Sequence, residues 1–422
     1  MIAPVLRLLR RRLTGGADDF TFRPASVPEL PELEACDLYI HIPFCRNRCR
    51  YCPYNTVPYR PEQTAAFFQA LRRELRLYLP WLQRRRIGSI YIGGGTPTVV
   101  WPELEAFLAG LFERLPRHGP VALETNPDEI DDALVSRLRS SGVSLVSLGV
   151  QSFDDGQLRF LGRSYPAEIL PDKIARLQAS GFAGVNLDLM FAFGAAPERI
   201  FAEDLAKAMA SGVAQITAYP LFEFPYSQVG EIRRQRHLKM PKLRLRRRLY
   251  ELLFNTMTGA GWQPRSVWGF SRTAAPAYSS VTRDFFLGLG PGAASRLPNR
   301  FYFNTFDNRA YQQRLAERRF PTALGMTLSE RLSNWYWLYW RFYETRLPVA
   351  EIERRFAAEW AWPPLRKSLD VLHWWEPDGE MRRLTLEGAF WIHLLQNGYI
   401  LNDIDQVWSS CRREAFPAAI RL

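Results

Sequence analysis

The chain has 422 residues, 47% hydrophobic and 23% charged, a balance that builds a full apolar core over roughly two or three domains and excludes a low-complexity or disordered chain. Five cysteines, an odd number, exclude a disulfide scaffold, and no apolar run reaches the ~18 residues needed to span a bilayer. The net charge of +12 would suit an acidic ligand, but no helix-turn-helix, zinc-finger or RNA-recognition pattern accompanies it, so nucleic-acid binding is not expected.

Residues 1–35 read as an N-terminal extension. Its arginines follow its apolar residues, the reverse of a secretory signal, which predicts a docked basic helix, a cytoplasmic protein and no stable membrane insertion. From residue 37 to 223, short runs rich in Val, Ile, Leu and Tyr alternate with amphipathic segments. The runs are DLYIHIP (37–43), SIYIGGG (89–95), VALETNP (121–127), LVSLGVQS (145–152), GVNLDLMF (184–191) and AQITAYPLFE (214–223). Bounded by Gly or Pro, they fit buried parallel strands. The segment 61–82 between them has helical spacing, and 127–142 ends on a glycine stop. Six such units predict an α/β fold, a partial (β/α)6 TIM-like barrel over residues 36–325.

Chemically expressive residues fall at the strand ends. A cysteine loop follows the first strand and a glycine-rich turn ends the second. Glu124 closes the third, Gln151 the fourth, Asp188 lies in the fifth and Tyr219 in the sixth. In a parallel barrel these would meet at one mouth. Beyond them, the basic stretch Arg233 to Arg248 reads chiefly as a solvated helix face. Residues 326–422 hold nine of the thirteen tryptophans and predict a mostly helical second domain, with the aromatic stripe as packing. Cys36 and Cys411 stand apart and read as buried thiols.

Cys45, Cys49 and Cys52 have the spacing C-x3-C-x2-C, which arises by chance in about 7 of ten thousand chains with this cysteine content. Three thiolates suit three irons of a [4Fe–4S] cube and leave the fourth iron open to a small chelating ligand. The rival is a structural zinc with His41 as fourth ligand. GGGTPT at 93–98 ends a strand and opens a helix. It lacks the Gly-Lys-Ser/Thr of a P-loop and suits close backbone approach to a ligand.

YIHIPFCRNRCRYC, IYIGGGTPT, ETNPDEID, SLGVQSF, NLDLMF and LGLGPGAAS, in that order, resemble the oxygen-independent coproporphyrinogen III oxidase family of radical S-adenosylmethionine (SAM) proteins. That family includes coproporphyrinogen dehydrogenases, haem chaperones, haem-opening methyltransferases and class C methylases and cyclopropanases. The resemblance implies that Cys45, Cys49 and Cys52 hold a [4Fe–4S] cluster and that its open iron binds SAM, the source of a 5′-deoxyadenosyl radical. Tyr39 would contact that SAM, Gly94 and Glu124 would hold its amino group, and Ala294 would pack near its adenine. A second SAM would meet Tyr51, Gly95, Thr96, Gln151, Arg163 and Asp188. The resemblance implies that Tyr39, Gln151 and Arg163 are the catalytic residues.

The chain departs from the family pattern in several places. Coproporphyrinogen dehydrogenases carry a further cysteine where this chain has Tyr54, the usual Gly-Leu-Pro is replaced by Ala192 to Gly194, over forty residues precede Cys45, and the chain continues well past LTLEG. CPYN (Cys52 to Asn55) and that tail resemble the class C branch. The leading expectation is therefore a two-SAM enzyme that transfers a methyl or methylene group to an sp² carbon of an unsaturated or aromatic small molecule. An electron donor such as flavodoxin or ferredoxin, and a companion methyltransferase, would be its partners. The alternatives are coproporphyrinogen decarboxylation, with the basic stretch meeting propionates, and a haem chaperone with His41 or His393 as axial ligand.

Overall fold

The computed structural model describes residues 20–25, 28, 30–115, 118–222, 224, 226–236, 242–272, 284–399 and 403–422, with only the backbone of 233–236 and 399. The expected N-terminal basic helix and residues 237–241 of the basic stretch lie outside the described residues.

Six parallel strands, β1 (Ala35–Ile42), β2 (Arg86–Gly94), β3 (Val121–Thr125), β4 (Leu145–Gln151), β5 (Gly184–Phe191) and β6 (Gln215–Pro220), stand side by side in that order. This is the partial (β/α)6 TIM-like barrel, an α/β fold. On the far side of β1 runs β7 (Phe286–Leu289), parallel to it. The antiparallel β8 (Ala294–Leu297), β9 (Arg300–Asn304) and β10 (Thr322–Thr327) follow. Short strands Thr21–Pro24 and Ile420–Arg421 extend that edge. The antiparallel continuation was not foreseen from sequence.

Alternation along the strands decides what faces where. Leu38, Ile40, Ile90, Ile92, Val121 and Leu123 turn outward into the main core beneath the helices. Tyr39, Tyr91, Ala122 and Leu145, paired in register, form a small apolar layer inside the barrel. Two residues on, the same inward direction is taken by His41, Gly93, Glu124 and Ser147. A polar layer thus sits directly above an apolar floor.

The helix Pro61–Leu82 starts on a proline at its first turn. It buries Phe67, Phe68, Leu71, Leu75 and Tyr78, one face at three- and four-residue spacing. Each such side chain contributes about 1.5–3 kcal/mol, so Leu71→Ala would cost about 2–5 kcal/mol. Past β10 come the helices Glu330–Tyr343, Val349–Arg355, Trp362–Val371, Leu386–Tyr399 and Asp405–Arg413, with a three-stranded sheet of Arg346–Pro348, Met381–Leu384 and Trp375–Asp378. Trp337, Trp362 and Trp375 pack into the same core as the barrel helices, so these aromatics serve packing. No helix among the described residues is long and apolar enough to cross a membrane.

Candidate functional site

The cysteine loop leaves β1 at the barrel mouth. Its start, Phe44–Cys45, pairs with Val57–Pro58, and Cys52 N donates to the Cys49 carbonyl at 3.2 Å. Further bonds moor it: Arg50 N to the Leu161 carbonyl and Val229 N to the Arg50 carbonyl. All three cysteines are free thiols, half-buried. Burial, and then the neighbouring Cys52, pushes Cys45 up to about 12; burial and Cys49 push Cys52 up to about 11. Thiols so placed give up their protons to a cationic centre rather than to water. No three His, Cys, Asp or Glu side chains among the described residues are spaced to hold a single metal ion. His41 is engaged elsewhere: its Nδ1 accepts from the Tyr39 hydroxyl at 2.7 Å and its Nε2–H donates to the Asn55 carbonyl at 2.8 Å. Both nitrogens are taken, which removes His41 as a zinc or axial haem ligand. The donor set, three spread thiols with no fourth, fits a [4Fe–4S] cluster with one open iron.

The glycine-rich turn lies against this loop so closely that side chains are excluded. A Cβ on Gly93 would stand 2.7 Å from Glu124 Oε2, one on Gly94 2.6 Å from the His41 ring, and one on Gly95 2.5 Å from the Phe44 carbonyl oxygen. Gly94 also has φ +112. Gly95 N donates to the Ile42 carbonyl and Thr96 N to that of Phe44, and Thr96 Oγ1 lies 3.7 Å from Cys45 Sγ. Glu124 accepts from Gly94 N at 3.1 Å and from the Tyr91 hydroxyl. Tyr39 stacks on Tyr91 with ring centroids 5.7 Å apart. Tyr39, Gly94, Gly95, Thr96, Glu124 and the three cysteines are therefore one continuous wall.

Against the cysteine loop, Arg163 Nη2 donates to the Tyr51 hydroxyl at 2.9 Å and Nη1 to Asn126 Oδ1 at 3.3 Å. Burial opposes its charge, but Tyr165, Tyr51 and the thiols hold its pKa above the ordinary value. A Cβ on Gly149 would lie 2.9 Å from both Arg163 Nη2 and Gln151 Nε2, which places these two together. Gln151 has φ +67, a strained backbone for a side-chain-bearing residue. The strain is held by buried Asp204, which accepts from Ser152 Oγ and Phe153 N, both at 2.7 Å. Asp188 accepts from Ser147 Oγ at 2.7 Å and Asn186 Nδ2 at 3.0 Å, and burial pushes it up to about 7. Arg163 and Asp188 make no ion pair with each other, so neither is consumed by a structural bridge.

Ala294 opens β8, beside the hairpin tip Gly290–Pro291. Asn55 Nδ2 clamps that tip by donating to the Pro291 carbonyl at 3.2 Å and the Phe306 carbonyl at 2.9 Å. Tyr54 is 49% exposed by surface area, yet its phenol is raised first by burial and then by the charges of Glu124, Cys52 and Asp188, groups of the barrel mouth. Tyr219 lies half-buried near the end of β6, in register with Met190 of β5. Sequence reasoning missed Tyr91, Asn126, Ser147, Asn186 and Tyr343, and also Arg412, which donates to the Pro53 carbonyl from the last helix. The inward strand period could have found Tyr91, Ser147 and Asn186. His393 is buried, and its Nε2 accepts from Trp268 Nε1 at 3.1 Å, so that nitrogen is not open to a haem iron.

The profile of the Radical SAM superfamily matches residues 39–203. An oxygen-independent coproporphyrinogen III oxidase of Bradyrhizobium diazoefficiens is 30% identical over 327 residues, 72% of this chain and 71% of that protein. Heme chaperone HemW of Lactococcus lactis subsp. lactis is 26% identical over 272 residues, 63% and 71% of the two chains. Anaerobilin synthase of Escherichia coli O157:H7 is 26% identical over 387 residues, 88% and 84%. In fold, the chain is similar to the coproporphyrinogen III oxidase of Escherichia coli, a radical SAM enzyme, with TM-score 0.77 and 20% identity over 90% of this chain and 94% of that one.

Proposed function

Because the chain belongs to the oxygen-independent coproporphyrinogen III oxidase family of radical SAM proteins, we propose that it is a radical SAM enzyme acting on a tetrapyrrole with carboxylate side chains. The observation that carries this reading is that relatives matched along most of the chain are named for haem or its precursor. It takes precedence over the methyl-transfer expectation, to which none of these names refers.

Cys45, Cys49 and Cys52 hold the [4Fe–4S] cluster in this reading, with SAM against Tyr39, Gly94 and Glu124 and its adenine near Ala294. When bound, cluster and SAM supply a hydrogen-abstracting 5′-deoxyadenosyl radical. The chain's own residues place the substrate. Tyr54 and Tyr343 wall the mouth, and Asp188, pushed up to about 7, stands ready to hold or release a proton. A propionate side chain that loses a hydrogen atom next to the ring loses its carboxylate as CO2. The surplus electron goes to an acceptor, and a vinyl group remains. Residues 36–325 form the radical-generating part in this reading, residues 326–422 close the mouth, residues 1–35 are an extension, and a flavodoxin or ferredoxin supplies electrons.

A second reading keeps two SAM molecules, with Tyr51, Gly95, Thr96, Gln151, Arg163 and Asp188 around the second, and delivers a methyl or methylene group to an sp² carbon. Tyr54 at the position of the dehydrogenases' extra cysteine favours it, as does the unpaired disposition of Arg163 and Asp188. Turnover of coproporphyrinogen III with methyl-deuterated SAM under reduction separates the two. Unlabelled 5′-deoxyadenosine and a lighter, decarboxylated tetrapyrrole support the first. Deuterium in 5′-deoxyadenosine supports the second. An unchanged tetrapyrrole overturns the substrate class.

A further inference from the structure

Three consecutive arginines open the helix Leu243–Gly259, and they do not share a fate. Arg247 pairs with Glu251 and Glu387, and Arg248 with Glu198 at 2.8 Å. Arg246 has no ion pair or hydrogen bond among the described residues. It is also turned the other way. The buried face of this helix is Leu249, Tyr250, Leu253 and Met257, and Arg246 lies on that face, three and four residues before the first two.

A short helix, Gln228–Arg236, separates this helix from β6. The far end of Leu243–Gly259 leads to Gln263, which pairs with Ser271 and through it with Gln215 at the start of β6, so its first turns stand at the mouth end of the strands. Arg246 acts on the imidazole of His393, whose ring meets Phe222 at 6.4 Å, Tyr343 at 6.0 Å and Trp268 at 4.6 Å. Phe222 lies two residues beyond the end of β6, and Tyr343 is near enough to Tyr54 and Asp188 for their charges to act on one another. Arg246 is half-buried, burial works against its charge, and no described residue pairs with it. Taking a guanidinium even partly out of water without a counter-ion is costly. Its five donors match a carboxylate bidentately.

We propose that Arg246 receives a carboxylate of the substrate at the rim of the barrel mouth, with Phe222 and Tyr343 beside the ring system that bears it. The proposal rests on the reading of the substrate as a carboxylate-bearing tetrapyrrole, and it assigns one residue of the basic stretch to recognition while Arg247 and Arg248 are structural.

Two measurements on the full-length chain test it. Coproporphyrin III and its tetramethyl ester are titrated by fluorescence into the wild type, Arg246→Gln and Arg246→Lys. The free acid should bind the wild type more tightly than the ester. Arg246→Gln should weaken the acid about 10-fold or more, leaving the ester unchanged, and Arg246→Lys should recover part of the loss. In the second, phenylglyoxal modification of wild-type Arg246 is followed by peptide mass, and pyrenebutyrate but not pyrenebutanol should slow it. Measurable and equal binding of the acid by the wild type and Arg246→Gln, or no selective protection by pyrenebutyrate, overturns the proposal. Selective protection with no porphyrin binding upholds Arg246 as a carboxylate site and removes the tetrapyrrole reading instead.

Discussion

His41 and Asn55 are joined by a 2.8 Å hydrogen bond from imidazole Nε2–H to backbone carbonyl, and that bond fixes the tautomer that receives the Tyr39 hydroxyl. Asn55 in turn grips the Gly290–Pro291 hairpin, so one imidazole couples the floor of the barrel, the cysteine loop and the β7–β8 turn. His41→Ala strands a buried carbonyl and hydroxyl and opens a cavity. Urea unfolding should show a loss of about 2–4 kcal/mol, and iron content after anaerobic reconstitution should fall with it.

Gly95 is the tightest contact between the glycine turn and the cysteine loop. A methyl group there would sit 2.5 Å from the Phe44 carbonyl oxygen, a backbone atom that cannot rotate away. Gly95→Ala should therefore displace Cys45. The expected outcome is about 1–3 kcal/mol of destabilisation and a lower sulfide-to-protein ratio, whereas Gly181→Ala, with nothing within 4 Å but φ +68, should change stability and leave the ratio intact.

Asp204 is a positioning residue for Gln151. Its two oxygens hold Ser152 and Phe153 immediately after the left-handed Gln151. Asp204→Ala leaves both donors buried and unpaired, at a cost of about 2–4 kcal/mol. In the two-SAM reading, where Gln151 meets the second molecule, SAM bound per chain, measured by equilibrium dialysis, should fall in this variant, while iron content should not, because the cysteine loop is moored elsewhere.

Much of this was legible in the chain itself, and the physical reason is locality. Strands β1 to β6 announce themselves because parallel strands buried on both faces must be apolar almost throughout, and the three cysteines lie within eight residues. Their strand-end neighbours follow from barrel geometry. What was hidden depends on contacts across the sequence: Asn55 with Pro291, Arg412 with Pro53, Ser147 with Asp188. The continuation β8 to β10 was hidden because its polar and aromatic pattern resembles loop. Arg246 was hidden among eight other basic residues, since only helix phase separates it from Arg247 and Arg248.

Glu74 gives the fold a defined pH response. Buried, it accepts from Gly290 N, Tyr311 hydroxyl and Asn304 Nδ2, and burial outweighs these bonds to raise it to about 7. The folded state therefore holds this proton more firmly than the unfolded chain, whose carboxyl titrates near the model-peptide value of 4.5. Its contribution is present below about 4.5 and is lost as the pH rises toward 7, by up to ~3 kcal/mol. Glu74→Gln should flatten this slope in urea unfolding between pH 5 and pH 8. An unchanged slope would assign the response to other groups.

Coproporphyrinogen III labelled at its propionate carboxyls, reacted in a single turnover with the reduced, reconstituted protein and SAM, tests the proposed activity most directly. The expected result is labelled CO2 and 5′-deoxyadenosine released in equal amounts, both abolished by Cys49→Ala. Slow release of 5′-deoxyadenosine at the same rate with and without the porphyrinogen, and no labelled CO2, would contradict it.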